Sequence, residues 1–186
     1  MKTIKFGAVI ILLTPLVLGP FGLTFSAYPK AVFFRFLVEI IFIFYLILVF
    51  LNQRYLPKSS PIFWSILLFL VILVSAGLTG INFHRSLFGD PERAEGIILH
   101  IHLFIFFLIL ASIFKDRKEW IGLLKTAVVV SGISSFVGVL QKYGVGTFYG
   151  IDVSERVSGT LSNPDFFAPY IVLSIFMAIF LVFSEQ

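Results

Sequence analysis

The chain contains no cysteine, only three histidines, and carries charge on just 13% of its residues. The first absence excludes disulfide bonds, thiolate metal centres and a cysteine nucleophile. The second leaves His84, His100 and His102 as the complete set of imidazoles, so any chemistry rests mainly on arginine, carboxylates and backbone dipoles. The third is incompatible with an ordinary soluble domain, in which about 25% of residues are charged. What fills the chain instead is apolar. Of its 186 residues 59% are hydrophobic, Phe alone occurs 24 times, and mean hydropathy is +1.03. Lys and Arg outnumber Asp and Glu by 14 to 10, for a net charge of +4 and a pI near 9.4. These basic residues punctuate apolar segments rather than forming a run, so nucleic acid is not an expected partner.

A bilayer crossing takes about 20 mostly apolar residues. Stretches of that kind occupy roughly 6–26, 31–51, 61–80, 96–114, 120–141 and 166–184. They predict an all-α, polytopic integral membrane protein with about six transmembrane helices. No repeat, low-complexity tract or flexible linker divides it, so residues 1–186 read as a single membrane domain. Lys2 and Lys5 resemble a signal peptide's basic region, but the following apolar stretch is long and lacks a small-x-small site near Ser26, which favours an uncleaved anchor.

Lys2, Lys5, Arg54, Lys58, Lys115, Arg117 and Lys118 fall on one side of the predicted spans, and Lys30, Arg85, Arg93, Lys142 and Arg156 on the other. The excess places the N-terminus in the cytoplasm. The basic residues left outside are either neutralised by Asp90, Glu92, Glu95, Asp152, Glu155 and Asp165, or kept there for a purpose.

Proline placement sharpens the question. Asp90-Pro91 and Asn163-Pro164 each put a capping residue before a first-turn Pro, predicting that helices four and six start there; Tyr28-Pro29-Lys30 marks the start of helix two. Helix N-termini expose N–H groups and partial positive charge. With Arg93 about three residues into helix four and Arg156 just before helix six, the pattern suits a pyrophosphate. The competing reading has Asp90 and Asn163 as simple caps and the arginines snorkelling or paired.

Arg35 and Glu39 stand one turn apart within helix two and are expected to pair there, since intramembrane ionisable groups are costly. His100 and His102, two residues apart, fall on nearly opposite helix faces and cannot share a metal ion; His100 would share the face of Arg93, and His102 that of Glu95. No metal site and no catalytic triad is read from the spacings. Pro15, Gly19, Pro20 and Gly22 should interrupt helix one. Ser131, Ser135 and Gly138, and likewise Ser75, Ala76, Gly77 and Gly80, offer small surfaces for close helix contact.

Two stretches resemble a known family. Ser86-Leu87-Phe88-Gly89-Asp90-Pro91-Glu92-Arg93-Ala94-Glu95-Gly96 is similar to the Ser-aromatic-Gly, Arg, Gly pattern of bacterial O-antigen ligases and polymerases. Arg156-Val157-Ser158-Gly159-Thr160-Leu161-Ser162-Asn163-Pro164-Asp165 is similar to that family's Arg-x-x-Gly-Thr-x-x-Asn-Pro helix entry, with Asp165 where relatives often have Asn. Tyr28 to Leu51, with its Phe-Phe-Arg run and Glu39, is similar as well. The resemblance implies a multi-pass protein of the bacterial inner membrane that transfers glycan from an undecaprenyl pyrophosphate carrier to an acceptor at the periplasmic face, without nucleotide, metal or other cofactor. It implies Arg93 and Arg156 as pyrophosphate ligands, with Arg35, Glu39 and Asn163 secondary. The family's functional His lies on a large loop in a second half that this sequence lacks, so the resemblance points to an N-terminal part, inactive alone, with no catalytic residue assigned. A non-catalytic membrane protein that binds or moves a lipid-linked anion, or a structural subunit, is the alternative.

Overall fold

A computed structural model describes residues 1–19, 27–91, 93–144, 156–161 and 163–184. Of these, 79% are helical and none forms a strand. The helices are α1 (Lys2–Ile11), α2 (Ala27–Leu51), α3 (Pro61–Thr79), α4 (Phe83–Phe88), α5 (Ile97–Ile113), α6 (Arg117–Lys142) and α7 (Pro164–Ser184), with short 3₁₀ turns at Thr14–Leu16 and Gln53–Tyr55.

Local chemistry explains the boundaries. The Ser60 hydroxyl accepts from the Phe63 N–H at 3.1 Å and Pro61 fills the first helical position, so α3 begins there. At the start of α7, Asn163 Oδ1 accepts from the Asp165 N–H at 2.8 Å, as its position before Pro164 predicts. Pro29 sits in the first turn of α2, where a missing N–H costs nothing. α6 ends on Gly144, whose φ of +68° no ordinary side chain favours. Helix one is interrupted near Pro15: α1 stops after 10 residues, and Pro15 lies in the following 3₁₀ turn. Pro20 and Gly22 lie outside the described residues.

Four helices, α2, α3, α6 and α7, are long and apolar enough to cross a membrane. Only 11% of the most apolar window of α3, and the same share of α7, is buried inside the chain, so most of that surface is left for lipid or neighbouring helices. α5 is equally apolar but has 17 residues. α1, at about 1.5 Å per residue, is about 15 Å long and spans half a hydrocarbon core.

The chain divides into two compact units, Met1–Ile11 with Ala31–Lys115, and Leu12–Lys30 with Asp116–Gln186. In the first, α3, α4 and α5 pack on one another and α1 packs on α5. Its interior holds Ile4, Ala8, Val38, Ile41, Ile109 and Ile113. Phe34 of α2 meets Phe106 of α5 edge to face at 5.8 Å, and the Tyr45 hydroxyl bonds Ser112 Oγ and the Tyr55 carbonyl, both at 3.0 Å. In the second unit α6 packs along α7 and receives the Thr14–Leu16 turn. There the buried Lys30 ammonium donates to the Val17 carbonyl at 2.8 Å.

One expected helix start is corrected. Asp90-Pro91 does not open a helix: α5 begins at Ile97 with Gly96 as its N-cap. Gly89 (φ +81°) ends α4, and the Asp90 carbonyl accepts from the N–H groups of Arg93 and Ala94 at 3.0 and 2.7 Å, closing a turn. Pro91 is the second residue of that turn, a position its fixed φ suits as well as a helix start. Arg93 and Glu95 therefore lie off the helix, and neither shares a helical face with His100 or His102.

Candidate functional site

The two leading arginines belong to different units, and each is set in its own frame. In the first unit Arg93 is exposed on the tight connection between α4 and α5. The ends of that connection are pressed together: a side chain on Gly96 would collide with the Leu87 carbonyl and the Gly89 amide. Next to Arg93, the buried Ala94 is held at φ +54°, the one non-glycine residue with positive φ among those described. That conformation costs an L-residue about 1–2 kcal/mol and persists only where the surroundings impose it. Across the same connection Arg85 Nη2 pairs with Asp90 Oδ2 at 2.8 Å. Asp90 is thus engaged with an arginine five residues back, which sequence reading missed because the pair forms only once the chain reverses. Beside the turn, a cleft of about 240 Å³ opens between α3, α4 and α5, with apolar walls from Leu73, Gly77 and Ile97 and polar ones from Ser86, Glu95 and His100.

In the second unit the segment Ser158–Thr160, just after Arg156, is fastened to α6. Gln141 Oε1 accepts from the N–H groups of Ser158 and Gly159 at 3.2 and 2.9 Å, and its Nε2 donates to the Gly159 carbonyl at 2.8 Å. Two turns earlier on α6, Ser134 Oγ and Thr160 Oγ1 are 2.7 Å apart. All of these groups are buried. Gly159 has φ +56° and faces the Phe167 ring so closely that any Cβ would overlap it. Gly138 of α6 gives room for the same ring: a Cβ there would lie 3.1 Å from Phe167 Cζ. The Gly-Thr of the motif is thereby explained as packing, and Gln141 and Ser134 emerge as its anchors. A polar amide inside the uncharged stretch between Lys125 and Lys142 of α6 was the available signal for Gln141.

At the end of this fastened loop Arg156 Nη2 meets Asp165 Oδ1 at 2.7 Å, with both side chains more than two-thirds exposed (69% and 67%). Asp165 occupies the first turn of α7, and its N–H goes to Asn163 Oδ1. The next two N–H groups, of Phe166 and Phe167, donate to the Asn163 carbonyl at 3.1 and 3.0 Å. Pro164 has none to offer. The expectation of unpaired N–H groups at this helix end is therefore corrected: Asn163 takes them all, leaving the helix dipole and the guanidinium as the attractions for an anion. Glu92, Asp152, Glu155 and Ser162 lie outside the described residues.

The expected Arg35–Glu39 pair does not form. Arg35 Nε turns back to the Ala31 carbonyl at 3.2 Å, while Glu39 Oε1 lies 3.1 Å from Nε2 of His102. A helix-borne glutamate finds its partner across the interface because α5 packs within reach, which spacing along one helix cannot reveal. His100 instead places Nδ1 3.0 Å from the Gly96 carbonyl and its ring 6.0 Å from that of Phe69. The two histidines point to different partners, as their spacing predicts. No group of three or more His, Asp or Glu suited to a metal ion occurs among the described residues. No protein-family model, curated protein or solved structure matches the chain.

Proposed function

We propose that this membrane protein holds the pyrophosphate of a polyprenyl-linked glycan and contributes that function to an O-antigen ligase- or polymerase-like glycosyltransferase. The observation that carries the reading is the Arg156 loop: an exposed arginine next to a buried Ser158–Thr160 frame hydrogen-bonded to α6. Such a frame costs nothing to organise when a ligand arrives. The Arg156–Asp165 pair does not oppose the reading, because an exposed ion pair is worth about 0–1 kcal/mol and a doubly charged pyrophosphate bonded in fork geometry can displace the carboxylate. Arg93, on its constrained turn in the first unit, is a candidate ligand in its own right, as is Arg35 in a secondary role, and Asn163 supports Arg156 by ordering the start of α7. In this reading α5 and the segment built on α1 also cross the bilayer, six crossings in all, with the N-terminus cytoplasmic and both arginine loops on the periplasmic side of the bacterial inner membrane. Catalysis is left to residues beyond those assigned here.

The test uses the chain in lipid nanodiscs with undecaprenyl pyrophosphate as probe. Arg156→Ala and Arg93→Ala are each expected to lower its retention about tenfold or more, the scale of one lost charge-assisted pair of hydrogen bonds, and Arg156→Lys to restore only part. Retention unchanged in both alanine variants overturns the assignment. Retention of the carrier by a protein that supports no glycan transfer in cells, when supplied in its full genomic context, favours the non-catalytic alternative.

A further inference from the structure

Glu39 stands at the midpoint of α2, a 25-residue helix long and apolar enough to cross a membrane. Its side chain is 63% exposed, while that of His102, its partner on α5, is 12% exposed. The hydrogen-bond geometry fixes where protons sit. Nδ1 of His102 lies 2.7 Å from the Ile98 carbonyl oxygen. A carbonyl only accepts, so Nδ1 carries a proton and donates it. Nε2 is then a bare lone pair in the neutral ring, or a second N–H in the imidazolium. It faces Glu39 Oε1 at 3.1 Å. A lone pair against an ionised carboxylate oxygen at that distance is repulsive, and hydrocarbon supplies no water to bridge it. The contact is bonding only when one further proton lies within it, on Nε2 or on the carboxyl group. Either placement leaves the pair with no net charge, the condition under which a membrane interior tolerates ionisable groups.

Among the described residues no other ionisable group bonds to the pair. Arg35 is turned onto the Ala31 carbonyl, His100 onto the Gly96 carbonyl, and the Tyr45 hydroxyl onto Ser112 and Tyr55. α3 carries no ionisable side chain. On α4, His84 stacks near Phe88 and Arg85 pairs with Asp90. On α1, Lys2 is exposed and the Lys5 ammonium lies 5.7 Å from the Phe114 ring centre.

We propose that Glu39 and His102 form a one-proton binding site within the membrane-spanning part of the first unit, where the bound proton and the α2–α5 contact are held or lost together. Removing the proton leaves two acceptors facing each other and an uncompensated carboxylate, which separates the side chains. Neither residue belongs to the arginine loops, so the site stands independently of the pyrophosphate reading.

Glu39→Gln separates proton from contact. The amide N–H donates to the Nε2 lone pair, so the contact survives with no extra proton. The whole chain, labelled with ¹⁵N-histidine and placed in lipid nanodiscs, is examined at neutral pH by ¹⁵N NMR and infrared spectroscopy, with His102→Gln identifying the His102 signals. The expected result is one of two signatures: an imidazolium at His102, or an Nδ1–H imidazole together with a protonated-carboxyl band. Either is lost in Glu39→Gln. An Nδ1–H imidazole with no protonated-carboxyl band in the wild type overturns the site, as does an imidazolium that persists in Glu39→Gln. The wild-type spectra decide the matter even where the variant fails to insert.

Discussion

The side-chain amide of Gln141 serves two backbone N–H groups and one carbonyl of the Ser158–Gly159 segment, all of them buried. Replacing it with Ala leaves those groups without partners, at about 1–3 kcal/mol for each unsatisfied group. Gln141→Ala is therefore expected to lower the thermal unfolding midpoint of the detergent-solubilised protein clearly. It should also weaken carrier retention without touching Arg156 itself. An unchanged midpoint would show that the loop is not held as described. Gly159→Ala makes a second prediction at the same scale. It adds about 1–2 kcal/mol of left-handed backbone cost and about 1–3 kcal/mol of overpacking against Phe167, so it should destabilise more than Gly132→Ala, where a Cβ meets open space. Equal midpoints for the two alanine variants would contradict that packing. Both arginines and Asn163 were legible as candidates from sequence, because Arg, Pro and Gly carry their preferences locally. The identity of their partners was not: Asp90 takes Arg85, and Glu39 takes His102, through contacts that exist only after the chain folds back.

At the scale of elements, capping chemistry was readable wherever a single local rule governed. Asn163-Pro164 starts α7 and Tyr28-Pro29 lies in the first turn of α2, while α1 has ended before Pro15. Asp90-Pro91 obeys the same composition yet makes a turn, because Gly89 reverses the chain and Gly96 lets the two ends of the connection touch. Ala94 pays for that reversal with a positive φ. Ala94→Val is expected to destabilise by about 1–3 kcal/mol, since a β-branched residue in this conformation is a genuine outlier. Thermal unfolding in detergent reads the effect, and an unperturbed midpoint would argue that the connection relaxes freely. Gly77, chosen from sequence as part of a small-residue surface, does face α5: a side chain there would overlap Ile97. Ser75, from the same stretch, instead is exposed and bonds its own helix at the Val71 carbonyl, 2.8 Å away. Small residues mark a helix face, but which of them meets a neighbour depends on the rotation of the helix about its axis.

For the whole molecule, the proposed orientation predicts that a reporter fused after Lys118 reads cytoplasmic and one fused after Gly150 reads periplasmic. A cytoplasmic reading after Gly150 places the Arg156 loop on the wrong side for a periplasmic carrier and ends the pyrophosphate assignment. Four helices satisfy the length and hydropathy of a crossing, and their surfaces are mostly exposed within the chain: Ile62, Leu68 and Ile72 on α3, and Val172, Phe176 and Phe183 on α7. Such faces are stable against lipid tails, whose contact costs them nothing in hydration.

Composition alone determined that this chain is helical and built for a bilayer. With so few charges and so long a series of apolar runs, only structures that satisfy the backbone internally survive in hydrocarbon. Local motifs marked the starts of α2 and α7 and singled out the arginines, because caps and prolines act within a few residues of themselves. Only the tertiary structure decided which polar groups meet. Gln141 with Ser158 and Gly159, Arg85 with Asp90, and Glu39 with His102 are set by the close approach of segments far apart or reversed in the chain. For the buried Gln141 contacts the meeting is enforced by the cost of leaving a polar group without a partner in a low-dielectric interior, a cost that periodicity along a single helix does not record.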